Sequence, residues 1–254
     1  MAFIQLHFYS NSLQMQTEVN VIIPQQNVVG EIGIDTKAEN KQYKSLYLLH
    51  GLSDDQSIWM RRTSIERYAT QYGICVVMPF GGRSFYINQL NGEAYYTYIS
   101  KELPARISEF FNVSQRREDR FIAGLSMGGY GALKIGLKNS DLFCAAAAMS
   151  AVADVRNERW KTHLENLIGK ENYLSDDEDL FAITKAKESD PNRPRLFMWC
   201  GTEDWLYDDN VALRDHIQQL DYDYTYEESP GTHCWDCWDV VIQRILQWMF
   251  EPNN

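Results

Sequence analysis

Short apolar runs separated by polar stretches recur along the chain and predict a largely buried sheet. Two N-terminal segments, 3–9 and 17–23, alternate apolar and polar residues as a strand with one buried face does. The later runs are apolar throughout, which is typical of parallel strands covered on both faces. They are 45–49, 74–78, 121–123, 145–149 and 195–200.

Segments with helical spacing lie between these runs. A helix from Ile99 to Phe111 is predicted from the spacing of Leu103, Ile107, Phe110 and Phe111. A long pattern of apolar residues at helical spacing ends the chain. Alternating strand and helix signals predict an α/β fold with a mostly parallel central sheet and helices on both faces. We expect residues 1–254 to form a single domain.

Two stretches fit this alternation less well. Residues 25–43 are polar, contain Gly30 and Gly33, and are interpreted as a surface hairpin or loop. Residues 155–192 are rich in polar residues but carry Trp160 and other apolar side chains at helical spacing. They predict a small helical insert, which is either a cap over the site or a plain helical crossover.

Composition narrows the class of protein. In 254 residues, 44% are hydrophobic, and the formal charge of -11 disfavours nucleic acid and anionic membranes as partners. No apolar run reaches membrane-spanning length. Five cysteines without framework spacing, and an N-terminus unlike a signal peptide, predict a cytoplasmic protein with reduced thiols.

The sequence around Ser126 carries the first candidate chemistry. Gly124-x-Ser126-x-Gly128 follows a buried run and precedes a helix of small residues. This context is that of a nucleophile elbow, a sharp strand-to-helix turn that exposes a serine hydroxyl. A structural glycine turn is the alternative.

Two later loops hold candidate partners for Ser126. Asp204 follows the run 195–200, with Glu203 and Asp208 as alternatives, and a helix cap is the non-catalytic interpretation. His233 lies in a glycine-containing loop after the last strand signal. The chain order Ser126, Asp204, His233 is that of a serine-hydrolase triad.

Aromatic residues near these loops are candidates for a substrate pocket. Trp59 is interpreted either as core or as a pocket wall, and Phe80 and Phe85 belong to a loop that is either ligand-binding or an ordinary turn. Trp235 follows His233 closely. Cys234-x-x-Cys237 is interpreted as part of a helix start, because no second pair of metal ligands lies near it.

Several motifs together resemble the esterase D family. They are HGLSDDQSIWMRRTSIERY, VVMPF, AYYTYISKELP, FIAGLSMGGYGALKIGL, CGTEDWLYDDN and GTHCWDCW. Within that family the chain is most similar to bacterial tributyrin esterases, which are also called arylesterases. The resemblance implies an α/β-hydrolase fold, Ser126 as nucleophile, Asp204 as orienting acid and His233 as base. It also implies oxyanion donors at the backbone N–H groups of Leu52 and Met127.

The implied activity is hydrolysis of short-chain acyl esters, acetyl to butyryl, without cofactor or metal. The substrate would be a small ester, and the resemblance favours a homo-oligomer. A thioesterase resembling S-formylglutathione hydrolase, or an acyltransferase of the same fold, is the alternative. A non-catalytic binding protein of this fold is disfavoured, because such proteins usually lack a triad residue.

Overall fold

The computed structural model describes residues 1–25, 42–171 and 175–251. Within these residues eight strands form one sheet in the order β1-β2-β4-β3-β5-β6-β7-β8. The strands are β1 Ala2–Ser10, β2 Met15–Ile23, β3 Ser45–Leu49, β4 Cys75–Pro79, β5 Arg120–Leu125, β6 Ala145–Met149, β7 Arg195–Gly201 and β8 Tyr224–Ser229. Residues 26–41, which make up most of the segment interpreted as a surface hairpin or loop, lie outside the described residues.

The sheet is mostly parallel, as predicted. β1 pairs with β2 and β2 with β4 in antiparallel fashion, whereas every pair from β4 through β3 to β8 is parallel. The carboxyl ends of the parallel strands therefore meet at one edge of the sheet, where ligands bind in open α/β sheets.

Helices cover both faces of this sheet. They are α1 Ile58–Arg62, α2 Ile65–Tyr72, α3 Tyr95–Thr97, α4 Leu103–Phe110, α5 Met127–Lys138, α6 Glu158–Ile168, α7 Leu180–Lys187, α8 Tyr207–Ile217 and α9 Trp235–Phe250. The fold is the predicted α/β arrangement. The helix predicted from Ile99 to Phe111 begins earlier, because α3 runs into α4 through a π-helical turn at Tyr98–Glu102.

Alternate residues of each central strand face opposite sides of the sheet and build two cores. Tyr47, Val77 and Ile122 pack with α4, α5, α6, α7 and α8 on one side. Leu46, Val76 and Ala123 pack with α1, α2 and α9 on the other. Covering both faces explains why these strands are apolar at every position.

Residues 155–192, described except for 172–174, contain α6 and α7. The side chain of Asn157 caps α6 by accepting the N–H of Arg159, and that of Asp179 caps α7 by accepting the N–H of Phe181. α7 packs against α5 and α8, as a helical crossover does. Among the described residues, none of the helices combines the length and apolar character needed to cross a bilayer.

Candidate active site

Ser126 lies at the tight turn between β5 and α5. Its backbone has φ 54° and ψ -119°, a left-handed conformation that is uncommon outside glycine. The flanking glycines are required by close approach: a Cβ at Gly124 would lie 2.3 Å from the carbonyl oxygen of Gly128, and one at Gly128 2.5 Å from that of Leu49. The turn is held by the hydrogen bond that the Ser126 N–H donates to Met149, at 2.9 Å.

The structure brings Ser126, His233 and Asp204 together across three loops. His233 Nε2 lies 3.1 Å from Ser126 Oγ. His233 Nδ1 lies 2.9 Å from Asp204 Oδ2 and 3.1 Å from Oδ1. An ionised carboxylate only accepts hydrogen bonds, so Nδ1 carries the proton and donates to Asp204. Nε2 of the neutral ring is then left to accept the Ser126 hydroxyl.

Asp204 is held as a carboxylate in a buried position. Burial alone would raise its pKa, but hydrogen bonds from His233, the Leu206 N–H and Ser150, with the charge of His233, lower the pKa below its ordinary value of 3.8. The Leu206 N–H donates to Asp204 Oδ1 at 2.9 Å. The carboxylate is therefore fixed in both charge and orientation.

Glu203 and Asp208 are the two acids considered as alternatives to Asp204. The carboxylate of Glu203 accepts the backbone N–H of Gly231 and so links the acid loop to the histidine loop. These loops approach so closely that a Cβ at Gly201 would lie 2.2 Å from the Gly231 carbonyl oxygen. Asp208 is in the first turn of α8. Of the three acids, Asp204 is the one whose side chain hydrogen-bonds His233.

The two backbone N–H groups predicted to bind an oxyanion are those of Met127 and Leu52. Met127 is the first residue of α5, and an N–H in the first turn has no acceptor within its own helix. Leu52 follows Gly51, whose Cβ position would be 3.8 Å from Ser126 Cβ. Both belong to segments that border the serine.

His50 clamps the loop that carries Leu52. Its Nε2 accepts the N–H of Gly81 at 2.9 Å, so Nδ1 carries the proton and donates to the Gly51 carbonyl at 2.7 Å. Burial lowers the pKa of His50 to about 4, although the hydrogen bond to Gly51 opposes this. His50 is thus a neutral, buried ring that joins the loops after β3 and β4.

A family model described as "Putative esterase" matches residues 10–249. The chain belongs to this esterase family.

Individual relatives agree over the whole length. An acetyl esterase of Caldicellulosiruptor saccharolyticus is 33% identical over 268 residues, spanning 100% of both chains. The structure of FphF, a fluorophosphonate-binding serine hydrolase of Staphylococcus aureus, is similar with a TM-score of 0.88, 35% identity and 99% coverage of each chain. The structure of the S-formylglutathione hydrolase FrmB of Staphylococcus aureus is similar with a TM-score of 0.83 and 34% identity, and the match covers 98% of this chain and 99% of that one. The protein is a carboxylic ester hydrolase of the α/β-hydrolase fold.

Two of the four aromatic residues expected to line the pocket of this esterase lie in the core instead. Trp59 and Phe85 are both 0% exposed, whereas a residue lining an open pocket keeps accessible surface. Trp59 Nε1 donates to the Leu49 carbonyl at 3.1 Å, and Phe85 packs against Tyr130 and Trp160. Their assignment as pocket walls is therefore corrected, because each ring is fully buried by packing contacts and exposes no surface to a pocket.

Phe80 and Trp235 are partly exposed: Phe80 directly follows β4, and Trp235 begins α9 two residues after His233. The Phe80 ring lies 6.1 Å from the His50 ring, and Trp235 meets the buried Trp59 edge to face at 5.1 Å. Trp59 thus supports Trp235 from behind.

Sequence reasoning missed several groups that contact these three residues, among them Trp205 and Ser150. Trp205 is 52% exposed, and its ring lies 5.0 Å from that of His233. Its place directly after Asp204 was the available signal. Ser150, buried at the end of β6, accepts a hydrogen bond from Trp238 Nε1 at 3.0 Å and also hydrogen-bonds Asp204. A buried serine after a strand gives no comparable signal.

Proposed function

We propose that this esterase hydrolyses short-chain acyl esters, acetyl to butyryl, through an acyl-enzyme on Ser126. The observation that carries the proposal is the placement of His233 between Ser126 Oγ and the Asp204 carboxylate. A nucleophile, its base and the group that orients the base are then within hydrogen-bond reach of one another, as covalent catalysis requires.

Each residue has a defined task in the proposed mechanism. Ser126 Oγ attacks the ester carbonyl while His233 Nε2 takes its proton. Asp204 keeps the ring in the required tautomer and stabilises the imidazolium. His233 then protonates the departing alkoxide, and a water molecule activated by the same ring releases the carboxylic acid and regenerates Ser126.

The tetrahedral oxyanion is assigned to the N–H groups of Leu52 and Met127. The first-turn position of Met127 supports this assignment, as does the closeness of Gly51 to Ser126, where a Cβ added to Gly51 would lie 3.8 Å from Ser126 Cβ. Losing one such donor typically lowers kcat by about 10² to 10³. The clamp of His50 on Gly51 would keep the Leu52 loop in place during the reaction.

Two observations support a short acyl group. A relative 33% identical over the whole chain is an acetyl esterase. Ser126 is only 8% exposed, and the half-buried Phe80 and Trp235 stand beside the loops around it. Aromatic rings give way poorly, so an acyl chain that reaches such a wall loses about 1–3 kcal/mol by overpacking.

A panel of p-nitrophenyl esters of increasing acyl length tests this proposal. We expect kcat/KM to peak between acetyl and butyryl and to fall for octanoyl. Trp235→Ala should move the optimum toward longer chains. Trp59→Ala should instead lower the free energy of unfolding by about 3–5 kcal/mol, as large core truncations do. A wild-type preference for decanoyl esters would overturn the short-chain assignment.

Thioester hydrolysis is the second candidate, favoured by the 34% identity to an S-formylglutathione hydrolase. The same triad would serve, since only the leaving group differs. Comparing kcat/KM for S-formylglutathione and for p-nitrophenyl acetate separates the two. An acyltransferase would instead pass the acyl group to an added alcohol in preference to water.

We further propose that the chain acts as a single domain in which residues 155–192 are a helical insert. We also propose that it forms a homo-oligomer in the cytoplasm. The packing of α7 against α5 and α8 supports the first proposal. Light scattering after size exclusion tests the oligomer, and fractionation of the source cells tests the location.

A further inference from the structure

Two cysteines lie at the start of α9, directly after His233. Cys234 is the N-cap residue of this 16-residue helix, and Cys237 is in its first turn, in agreement with the interpretation of the pair as a helix start. Their sulfur atoms are 3.3 Å apart, and both side chains are partly exposed. The geometry is therefore that of two thiols in contact and open to solvent.

The surroundings of the two thiols differ. Burial alone would raise the pKa of Cys234, but hydrogen bonds from Thr232 and from the N–H groups of Cys237 and Asp236 lower it below 9.0. Burial, the hydrogen bond with Cys234 and the charge of Cys234 raise the pKa of Cys237. Cys234 is thus the better nucleophile, and Cys237 is placed to react second.

The pair does not fit a metal site. Among the described residues, no three His, Cys, Asp or Glu side chains converge as a metal ion would require. The described cysteines are all free thiols. Cys75 and Cys200 are buried, and burial raises the pKa of Cys144 to about 11, which leaves Cys234 and Cys237 as the accessible pair.

We propose that Cys234 and Cys237 form a reversible redox site that switches the esterase off when a disulfide joins them. The oxidant is a low-molecular-weight disulfide. The Cys234 thiolate attacks one of its sulfur atoms, forming a mixed disulfide and releasing one thiolate. The Cys237 thiolate then attacks Cys234 Sγ, closing the intramolecular bond and releasing the second thiolate. Two protein thiols are oxidised, and one small disulfide is reduced to two thiols.

Closing the bond disturbs the loop that carries His233. A disulfide bond is about 2.05 Å long, so the sulfur atoms must approach by about 1.2 Å from 3.3 Å. Cys237 Sγ packs close to the Gly231 backbone, since a Cβ added to Gly231 would lie 2.6 Å from it, and it has little room to move on that side. We therefore expect Cys234, the neighbour of His233, to take up most of the movement.

The effect on activity rests on the proposed function of His233 as the base. A displacement of about 1 Å in a catalytic group can lower the rate by about 10². We therefore expect the oxidised enzyme to lose at least ten-fold in kcat, by the same reasoning.

The test treats the full-length esterase with glutathione disulfide and follows both covalent state and activity. Peptide mass spectrometry should find a Cys234–Cys237 disulfide, and hydrolysis of p-nitrophenyl acetate should fall at least ten-fold. Dithiothreitol should restore the activity. Cys234→Ser and Cys237→Ser, each normalised to its own reduced activity, should resist inactivation. Serine is a favourable N-cap residue, so the first variant keeps the start of α9.

Cys144→Ser is the matched control, and it should respond like the wild type. Absence of the intramolecular disulfide, or a lasting mixed disulfide on Cys234, overturns the redox site. Its formation without loss of activity overturns the switch. The peptide mass reports whether the disulfide forms, and turnover by the reduced wild type reports whether the proposed esterase function is right. A failure of the redox proposal can therefore be told apart from a failure of the proposed function.

Discussion

Two serines of the candidate site have a positive backbone φ angle. Ser126 has φ 54°, and Ser150 has φ 46°. Such conformations cost about 1–3 kcal/mol in a non-glycine residue and persist where the surrounding structure fixes them. Here β6 and β7 do so, because the Ser126 N–H donates to the Met149 carbonyl of β6 and the Ser150 N–H donates to the Trp199 carbonyl of β7. In these conformations Ser126 Oγ lies 3.1 Å from His233 Nε2, and the Ser150 hydroxyl hydrogen-bonds Asp204.

The assignment of Asp204 gives a prediction at this scale. Asp204→Asn should lower kcat by about 10⁴, because the amide no longer holds His233 in the tautomer that accepts a proton. Steady-state kinetics on p-nitrophenyl acetate provides the measurement. Glu203→Gln, which changes the neighbouring acid on the same loop, is the control and should retain most of the activity. A reversed order of effects would mean that the acid is misassigned.

His50 predicts how stability responds to acid. Its pKa is about 4 in the folded protein against an ordinary 6.5, so between these values the unfolded chain binds more protons. The contribution of the neutral His50 ring to the free energy of unfolding is then fully present above pH 6.5 and is lost as the pH falls toward 4. Between pH 7 and pH 5 the wild type should lose about 2 kcal/mol more than His50→Gln. Urea unfolding at the two pH values measures this, and equal losses would contradict it.

Large aromatic residues show where sequence reasoning stops at the residue scale. Trp59 and Phe85 belong to segments next to loops, and a ring there can point either into a cleft or into the core. The choice depends on how the element that carries the ring packs against the rest of the fold, here α1 for Trp59 and the turn at Ser84–Ile87 for Phe85. The sequence does not encode that packing locally. By contrast, Ser126 was predictable because glycines at both sides are required by backbone contact.

At the scale of elements, a buried ion pair fastens the segment before α7 to α5. Lys134 Nζ lies 2.6 Å from Glu178 Oε2, and the lysine side chain is 0% exposed. Burial lowers the pKa of Lys134, and the charge of Glu178 opposes that effect. Tyr130 donates a further hydrogen bond to Glu178 at 2.9 Å. The helix α5, which begins directly after Ser126, is thereby tied to the insert.

Breaking this pair should be strongly destabilising. Glu178→Ala leaves the Lys134 ammonium buried without its partner and should lower the free energy of unfolding by about 3–5 kcal/mol. The neighbouring pair Lys138–Asp177 joins the same two segments, but Asp177 is exposed. Asp177→Ala should therefore cost about 1 kcal/mol or less. Denaturant unfolding of both variants tests the contrast, and similar losses would exclude a special role for the buried pair.

Element types were predictable from periodicity, whereas details of helices were not. The five apolar runs all form strands, as expected for short parallel strands that are covered on both faces. The helix expected from Ile99 starts instead as α3 at Tyr95, and a π-helical turn precedes Pro104. Proline lacks an N–H, so it is tolerated near the start of α4, and apolar spacing alone does not show this break.

At the scale of the whole molecule, sheet topology is what assembles the site. Ser126 follows β5, Asp204 follows β7 and His233 follows β8, and all three strands are parallel neighbours through β6. Their carboxyl ends lie at one edge, so residues 107 positions apart in sequence meet at 3.1 Å. The order Ser, Asp, His made this predictable from sequence, whereas the support from Ser150 and Trp205 depends on tertiary contacts.

The most direct test of the central claim is to trap the acyl group on Ser126. The esterase is mixed with p-nitrophenyl acetate, quenched in acid during turnover, and its intact mass and peptides are measured. We predict a population heavier by one acetyl group, located on Ser126, and neither this adduct nor turnover in Ser126→Ala. An acetyl group on another residue that forms and decays at the turnover rate, or a Ser126→Ala variant with undiminished hydrolysis, would contradict the account.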